Sequence, residues 1–288
     1  MTLLARSPHR ELLEPLPELS AWVAHFLAAE IPVLQTTADA LEALRANEEH
    51  TDANSIGELI AGDPLMTLKV LAYSSGHRSR RVITAPETVT SALVMLGITP
   101  FFRAFASQPS AEERLATNPR AQAGLQAVLR RAHRGADFAL AFAVHRTDPN
   151  AAAVHAAALL HEFAELLLWC HAPRLALRIA QAQSADASLR SSVAQRDVLG
   201  VDLADLQHAL VVEWQLPALL CENGRAHQSG HAGARTVALA ARLARHTHQG
   251  WDNAALADDI ADVAELLNLS SEATLHLVQN VEPQASFD

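Results

Sequence analysis

Apolar residues recur along the chain at intervals of three and four, the spacing that lines one face of an α-helix. Leu41 and Leu44, then Ile56, Leu59 and Ile60, set this rhythm early. Ser55 and Glu58 are spaced as a capping box, in which the hydroxyl accepts an early backbone N–H and the carboxylate reaches back. Asp63-Pro64 predicts the next helix start, with Asp63 as cap and Pro64 in the first turn, where its missing N–H costs little. That helix runs through Leu65, Leu68, Val70, Leu71 and Tyr73 and breaks at Ser74-Ser75-Gly76. Thr84 and Glu87 predict a second capping box, opening a helix through Val89, Ala92, Leu93 and Leu96 that Gly97 ends in a left-handed conformation. A short helix is expected over 100–106.

From Gln108 to Pro119 the pattern turns polar, as at a boundary between two helical halves. Two long helices follow, over 120–145 and 151–170, joined by a turn at Thr147-Asp148-Pro149-Asn150. Further helices are predicted at 172–183, 188–198, 202–214, 217–228, 232–248, 252–268 and 271–280, with Asp252 and Ser270 or Ser271 as caps. Neither a useful period-two stretch nor a fixed repeat is evident. The expected fold is all-α: a two-lobed helical bundle, with an extension over 1–29, a first lobe over 30–108 and a second over 119–282.

Composition supports this. Half of the 288 residues are hydrophobic and only 5% aromatic, so Ala and Leu, both strong helix formers, carry the core. The formal net charge of −10 argues against nucleic acid as the main partner, which would need a dense cationic surface. Cys170 and Cys221 form no CxxC pair and suit a reducing compartment. No apolar run is expected to approach the roughly 18–20 residues that span a bilayer. The segment Met1 to Pro17 lacks the cationic start and apolar stretch of a secretory signal. The expected location is the cytoplasm, with no membrane partner.

Two stretches together resemble the HDOD family. The first holds Glu30-Ile-Pro-Val-Leu34, Ile56 to Ala72 with its internal Asp63-Pro64, and Ala92-Leu-Val-Met-Leu-Gly97; Ser74-Ser75 stands where the family usually has Asn-Ser. The second holds Ala157-Ala-Leu-Leu-His-Glu162 and its Leu-rich continuation, similar to the family's His-Asp segment, then Gly200-Val-Asp202, Trp214-Gln-Leu-Pro217 and Ala226-His-Gln228. The resemblance spans roughly residues 30 to 280. It implies an HD-like second lobe and a non-catalytic role in bacterial signalling, through a protein partner or a small ligand. The family is related to metal-dependent phosphohydrolases, but its members generally lack the full metal site.

That chemistry needs a metal to polarise phosphate and activate a water. Set against the catalytic pattern, His133 takes the place of the first histidine and His161 that of the His-Asp histidine, but Glu162 follows it. Leu203, Gln228 and Ala241 occupy positions where the enzymes carry ligands, and His227 lacks a second histidine beside it. The reading adopted is that His133, His161 and His227 are hydrogen-bonded remnants between helices, with no catalytic residue and no cofactor. The alternative is a divergent phosphohydrolase binding a divalent transition metal through His133, His161, Glu162 and His227.

Among the other charged groups, Arg78, Arg80 and Arg81 form the strongest basic loop in an acidic chain. It reads either as a solvated loop or as a contact for a small anionic ligand or acidic partner. Arg130, Arg131 and Arg134 make a second cluster with the same two readings. His246 and His248 are expected to be surface groups. The four tryptophans and two cysteines are expected in the core.

Overall fold

A computed structural model describes residues 11–76, 85–186, 188–221, 232–248 and 250–281. Among these residues the chain is all-α, and the only β-type pairing is one parallel bridge between Val33 and Ser110. The first helices are α1 (Leu19–Ala28), α2 (Gln35–Arg45), α3 (Ala53–Ala61), α4 (Pro64–Gly76), α5 (Val89–Leu96), α6 (Ile98–Ala104) and a single turn, α7 (Ala111–Arg114). The long α8 (Pro119–His145) follows, then α9 (Ala151–Leu159), α10 (Phe163–His171), α11 (Pro173–Ala185), α12 (Ser191–Leu199), α13 (Leu203–Glu213), α14 (Ala218–Cys221), α15 (Ala232–His246), α16 (Leu256–Leu267) and α17 (Ser271–Asn280).

The Asp63-Pro64 start forms as the sequence implies, and Asp63 does more than cap. Its fully buried carboxylate accepts the N–H groups of Leu65 at 2.9 Å, Met66 at 3.0 Å and, from across the lobe, Leu34 at 2.8 Å. One side chain therefore fixes both the start of α4 and the path of the chain entering the lobe. Pro64, Leu65, Met66, Leu68, Val70 and Leu71 are all buried, so α4 is enclosed on most sides, as a central helix must be. Three predicted caps shift, and in the second lobe it is Ala255, not Asp252, that precedes α16. Asp52, not Ser55, caps α3 by accepting the Ser55 N–H. A box between Thr88 and Ser91 opens α5, while Thr84 lies outside the described residues. Gly97 does take a positive φ of 84°, but with ψ at 152° it is not left-handed helical; this region is open almost only to glycine.

The polar stretch over 108–119 is pinned to the rest. Val33 donates to the Pro109 carbonyl at 3.0 Å, Ala111 donates to the Val33 carbonyl at 2.8 Å, and the Gln35 N–H meets the Glu112 carboxylate at 2.9 Å. Lys69 of α4 reaches the carbonyl of Ile31 at 2.8 Å and the side chain of Gln108. In the second lobe, α8 is the axis and packs chiefly on α15 and α9. Gly135 of α8 brings the helices together: a β-carbon there would lie 3.6 Å from Ala241 and Ala244 of α15. α1, residues 19–28 of the segment expected as an extension, packs on α13.

The predicted helix over 151–170 is broken. Residues 151–171 are apolar and long enough to cross a membrane by composition, contrary to the expectation of shorter runs, but two thirds of the span is buried within the fold. The break falls at Leu160, His161 and Glu162.

Candidate functional site

No glycine or proline marks the break between α9 and α10. Glu162 leaves helical geometry with φ at −123° and ψ at 32°, and His161 donates back to Ala158 in a tight turn of 3.1 Å. The backbone groups this frees are met by one buried side chain, Gln207 of α13. Its amide nitrogen donates to the His161 carbonyl at 2.6 Å, and its oxygen accepts the Ala164 N–H at 3.3 Å. An unpaired buried carbonyl or N–H is costly, so Gln207 makes the break affordable in the apolar interior. Sequence reasoning missed Gln207, because the only signal is a polar residue on the apolar face of a helix more than forty positions away.

The break aims His161 and Glu162 at α8 and α15. Arg131 of α8 holds two carboxylates at once: its Nε lies 2.5 Å from Glu162 and its Nη2 lies 2.7 Å from Glu165. The other Glu162 oxygen is 3.6 Å from Nε of Arg245, on α15. Burial opposes ionisation of Glu162, but Arg131, Arg245 and His161 outweigh it and hold the carboxyl below its ordinary range. Glu165 goes the other way. Burial pushes it up and Arg131 only partly offsets this, with the Glu162 charge adding to the rise. Burial alone would lower Arg131, yet the two carboxylates raise it above the usual guanidinium range. Burial lowers His161 to about 4, with Glu162 opposing and the two arginines reinforcing. Its Nδ1 is buried without a hydrogen-bond partner among the described residues.

His133 belongs to a different neighbourhood. Its Nε2 faces the Gly62 carbonyl at 2.7 Å; a carbonyl only accepts, so the ring donates there. It shares its surroundings with Asp137, one turn along α8, and His155 of α9. Burial raises Asp137, against the pull of both imidazoles, and burial lowers His155, against the pull of Asp137. His227 lies outside the described residues, as do Arg78, Arg80 and Arg81. Among the described residues no three His, Cys, Asp or Glu side chains converge to hold a metal. The donors at the His161-Glu162 pair fit a metal poorly, because the carboxylate beside His161 is already matched to a guanidinium.

The basic cluster on α8 is dispersed. Arg131 turns inward, while Arg134 lies 5.3 Å from the ring centres of both Phe138 and Trp251, with Nε on the Thr247 hydroxyl at 3.1 Å. His246 is no free surface group, since its Nδ1 sits 2.5 Å from the buried carboxylate of Asp259. His248 is exposed, as expected, although its Nδ1 reaches the Arg245 carbonyl at 2.6 Å. Trp22 and Trp169 are core residues, while Trp214 and Trp251 are half-buried against the core. Cys170 is fully buried, and burial pushes its thiol up to about 12; the side chain of Cys221 lies outside the described residues.

The described residues form an all-α helical bundle with the His161-Glu162 pair at a break between two helices. The HDOD domain family matches residues 31–229, more than half of the chain, and the protein belongs to that family. Among solved structures it is similar to the MmoQ response regulator from Methylococcus capsulatus, with a TM-score of 0.65 at 18% identity, covering 86% of this chain and 98% of that one. It is also similar to a virulence factor from Campylobacter jejuni, with a TM-score of 0.60 at 16% identity, covering 92% and 98%. At these identities the likeness establishes the fold alone. No match was found among curated proteins.

Proposed function

We propose that this HDOD protein is a non-catalytic regulatory component of signal transduction, acting in the cytoplasm by binding a protein partner or a small ligand. One observation carries the reading: the carboxylate at the aspartate position of the His-Asp pair is held by Arg131 at 2.5 Å. A guanidinium has only donors and a fixed positive charge, so it neutralises a carboxylate without activating water. Family membership and the response-regulator name of one protein of similar fold support a signalling role. The net charge of −10 weighs against nucleic acid as the main partner. Arg78, Arg80 and Arg81 remain the proposed contact for an anionic ligand or acidic partner. Purified protein of verified metal content should hydrolyse neither phosphodiesters nor nucleotides. Hydrolysis that disappears in His161→Ala would overturn the reading.

The unpartnered Nδ1 of His161 favours a second reading, a divergent metal-dependent phosphohydrolase. It requires near-stoichiometric bound transition metal and a rise in melting temperature with added Zn²⁺, Mn²⁺ or Fe²⁺. An unchanged melting temperature in metal-free protein removes it.

A further inference from the structure

α1 precedes residue 31, where the family match begins, and lies along α13 of the second lobe. Trp22 is wholly buried there, and its Nε1 donates to the Leu199 carbonyl at 3.3 Å. Phe26, 1% exposed, meets the His171 ring edge-on at 5.6 Å. Just upstream, the Leu12 N–H donates to the His171 carbonyl at 2.9 Å. His25 lies within this contact, edge-on to Phe26 at 5.3 Å and to His171 at 5.8 Å. Its Nε2 is buried and has no hydrogen-bond partner among the described residues. Beyond His171 stands a fixed cation, with Arg114 Nη1 3.4 Å from His171 Nε2. A guanidinium can only donate, so that imidazole nitrogen accepts and His171 is bonded as a neutral ring.

We propose that α1 is a proton-released clasp, docked on the second lobe while His25 is neutral and freed when His25 takes a proton. A charged imidazole in this position would have a buried N–H with nothing to receive it and a guanidinium just beyond the neighbouring ring. Released into water, the same proton is hydrated at no such cost. Burial lowers His25 below the ordinary imidazole value. A histidine depressed in the docked state loses its contribution as pH falls through and below its free value, so docking weakens in mild acid.

The neighbouring charges do not reverse this. Glu18 precedes α1, and Glu30, beyond its end, lies 3.6 Å from Lys69. Glu11, upstream, pairs with Arg174 of α11 at 3.3 Å. On α10 the facing groups are His171 and the protonated thiol of Cys170. α7 supplies Arg114, with Glu112 bonded to the Gln35 N–H and Glu113 on the same turn. The buried residues of α13 are apolar apart from Gln207, which is bonded to the break between α9 and α10, while Asp205, His208 and Glu213 are exposed.

Amide hydrogen exchange on the full chain, corrected for intrinsic rates and compared at about pH 7.5 and about pH 5.5, tests the clasp. Residues 19–28 should lose protection several-fold at the lower pH while α8 and α13 keep theirs. His25→Gln, which keeps a polar side chain but cannot charge, and His25→Leu should both abolish that loss. The proposal fails if both variants lose protection as the natural protein does, if the loss spreads evenly over all helices, or if His171→Gln rather than His25→Gln removes it.

Discussion

Arg131 shows how a single residue changes the chemistry open to its neighbours. It bridges Glu162 and Glu165 on consecutive turns, with side chains 15%, 20% and 30% exposed. Removing a partner from an ion pair this sheltered costs more than the pair contributes, because the charge left behind is unpaired. Arg131→Met should therefore destabilise the protein by about 2–4 kcal/mol in urea unfolding, allowing for partial solvent screening. Adding Glu162→Gln and Glu165→Gln to it should recover most of that loss; no recovery would mean the arginine acts through packing alone. His161 gives a pH dependence. Its value in the folded protein, about 4, is below the free imidazole value of 6.5, so the unfolded chain binds the proton more tightly. Its contribution is intact above about pH 6.5, declines as pH falls, and is gone below about pH 4, with at most about 3 kcal/mol involved. A His161→Gln variant should show a shallower stability profile between those limits, and superimposable profiles would contradict the burial argument.

Between elements, the fold depends on a few side chains that permit unusual joints. Gln207 ties α13 to the break between α9 and α10 through two backbone groups. Gln207→Leu preserves bulk but strands a buried carbonyl and N–H, which should cost about 1–3 kcal/mol. Added proteolytic cutting near 160–162 should accompany that loss. The crossing of α8 over α10 depends on Gly124, where a β-carbon would overlap the indole of buried Trp169. Gly124→Ala gains helix propensity of about 1 kcal/mol yet should still destabilise the protein, because overpacking costs about 1–3 kcal/mol. A rise in melting temperature would show that Trp169 can move aside.

Across the whole molecule, one apolar core runs from Trp22 in α1 to Val278 in α17 without interruption. The polar stretch over 108–119 is bonded to residues 33–35, and α4 packs on α10. Such continuity predicts a single cooperative transition in urea, with far-UV circular dichroism and tryptophan fluorescence superimposing. Two separated transitions would show that the lobes are energetically independent.

The chain itself determined its helices, because apolar spacing and cap chemistry act over three to five residues: α4 behind Asp63-Pro64, α8 behind Asn118-Pro119 and α17 behind Ser270 are all local events. The His161-Glu162 pair also stands in the sequence itself, but its significance came from the resemblance to the HDOD family, not from spacing. Tertiary structure alone decided that α9 and α10 part at His161, that Arg131 takes Glu162 while His133 turns to Gly62, and that α1 lies on α13. These outcomes depend on which buried polar groups find partners, and the partners come from helices distant in sequence. No periodicity along the chain encodes such a match.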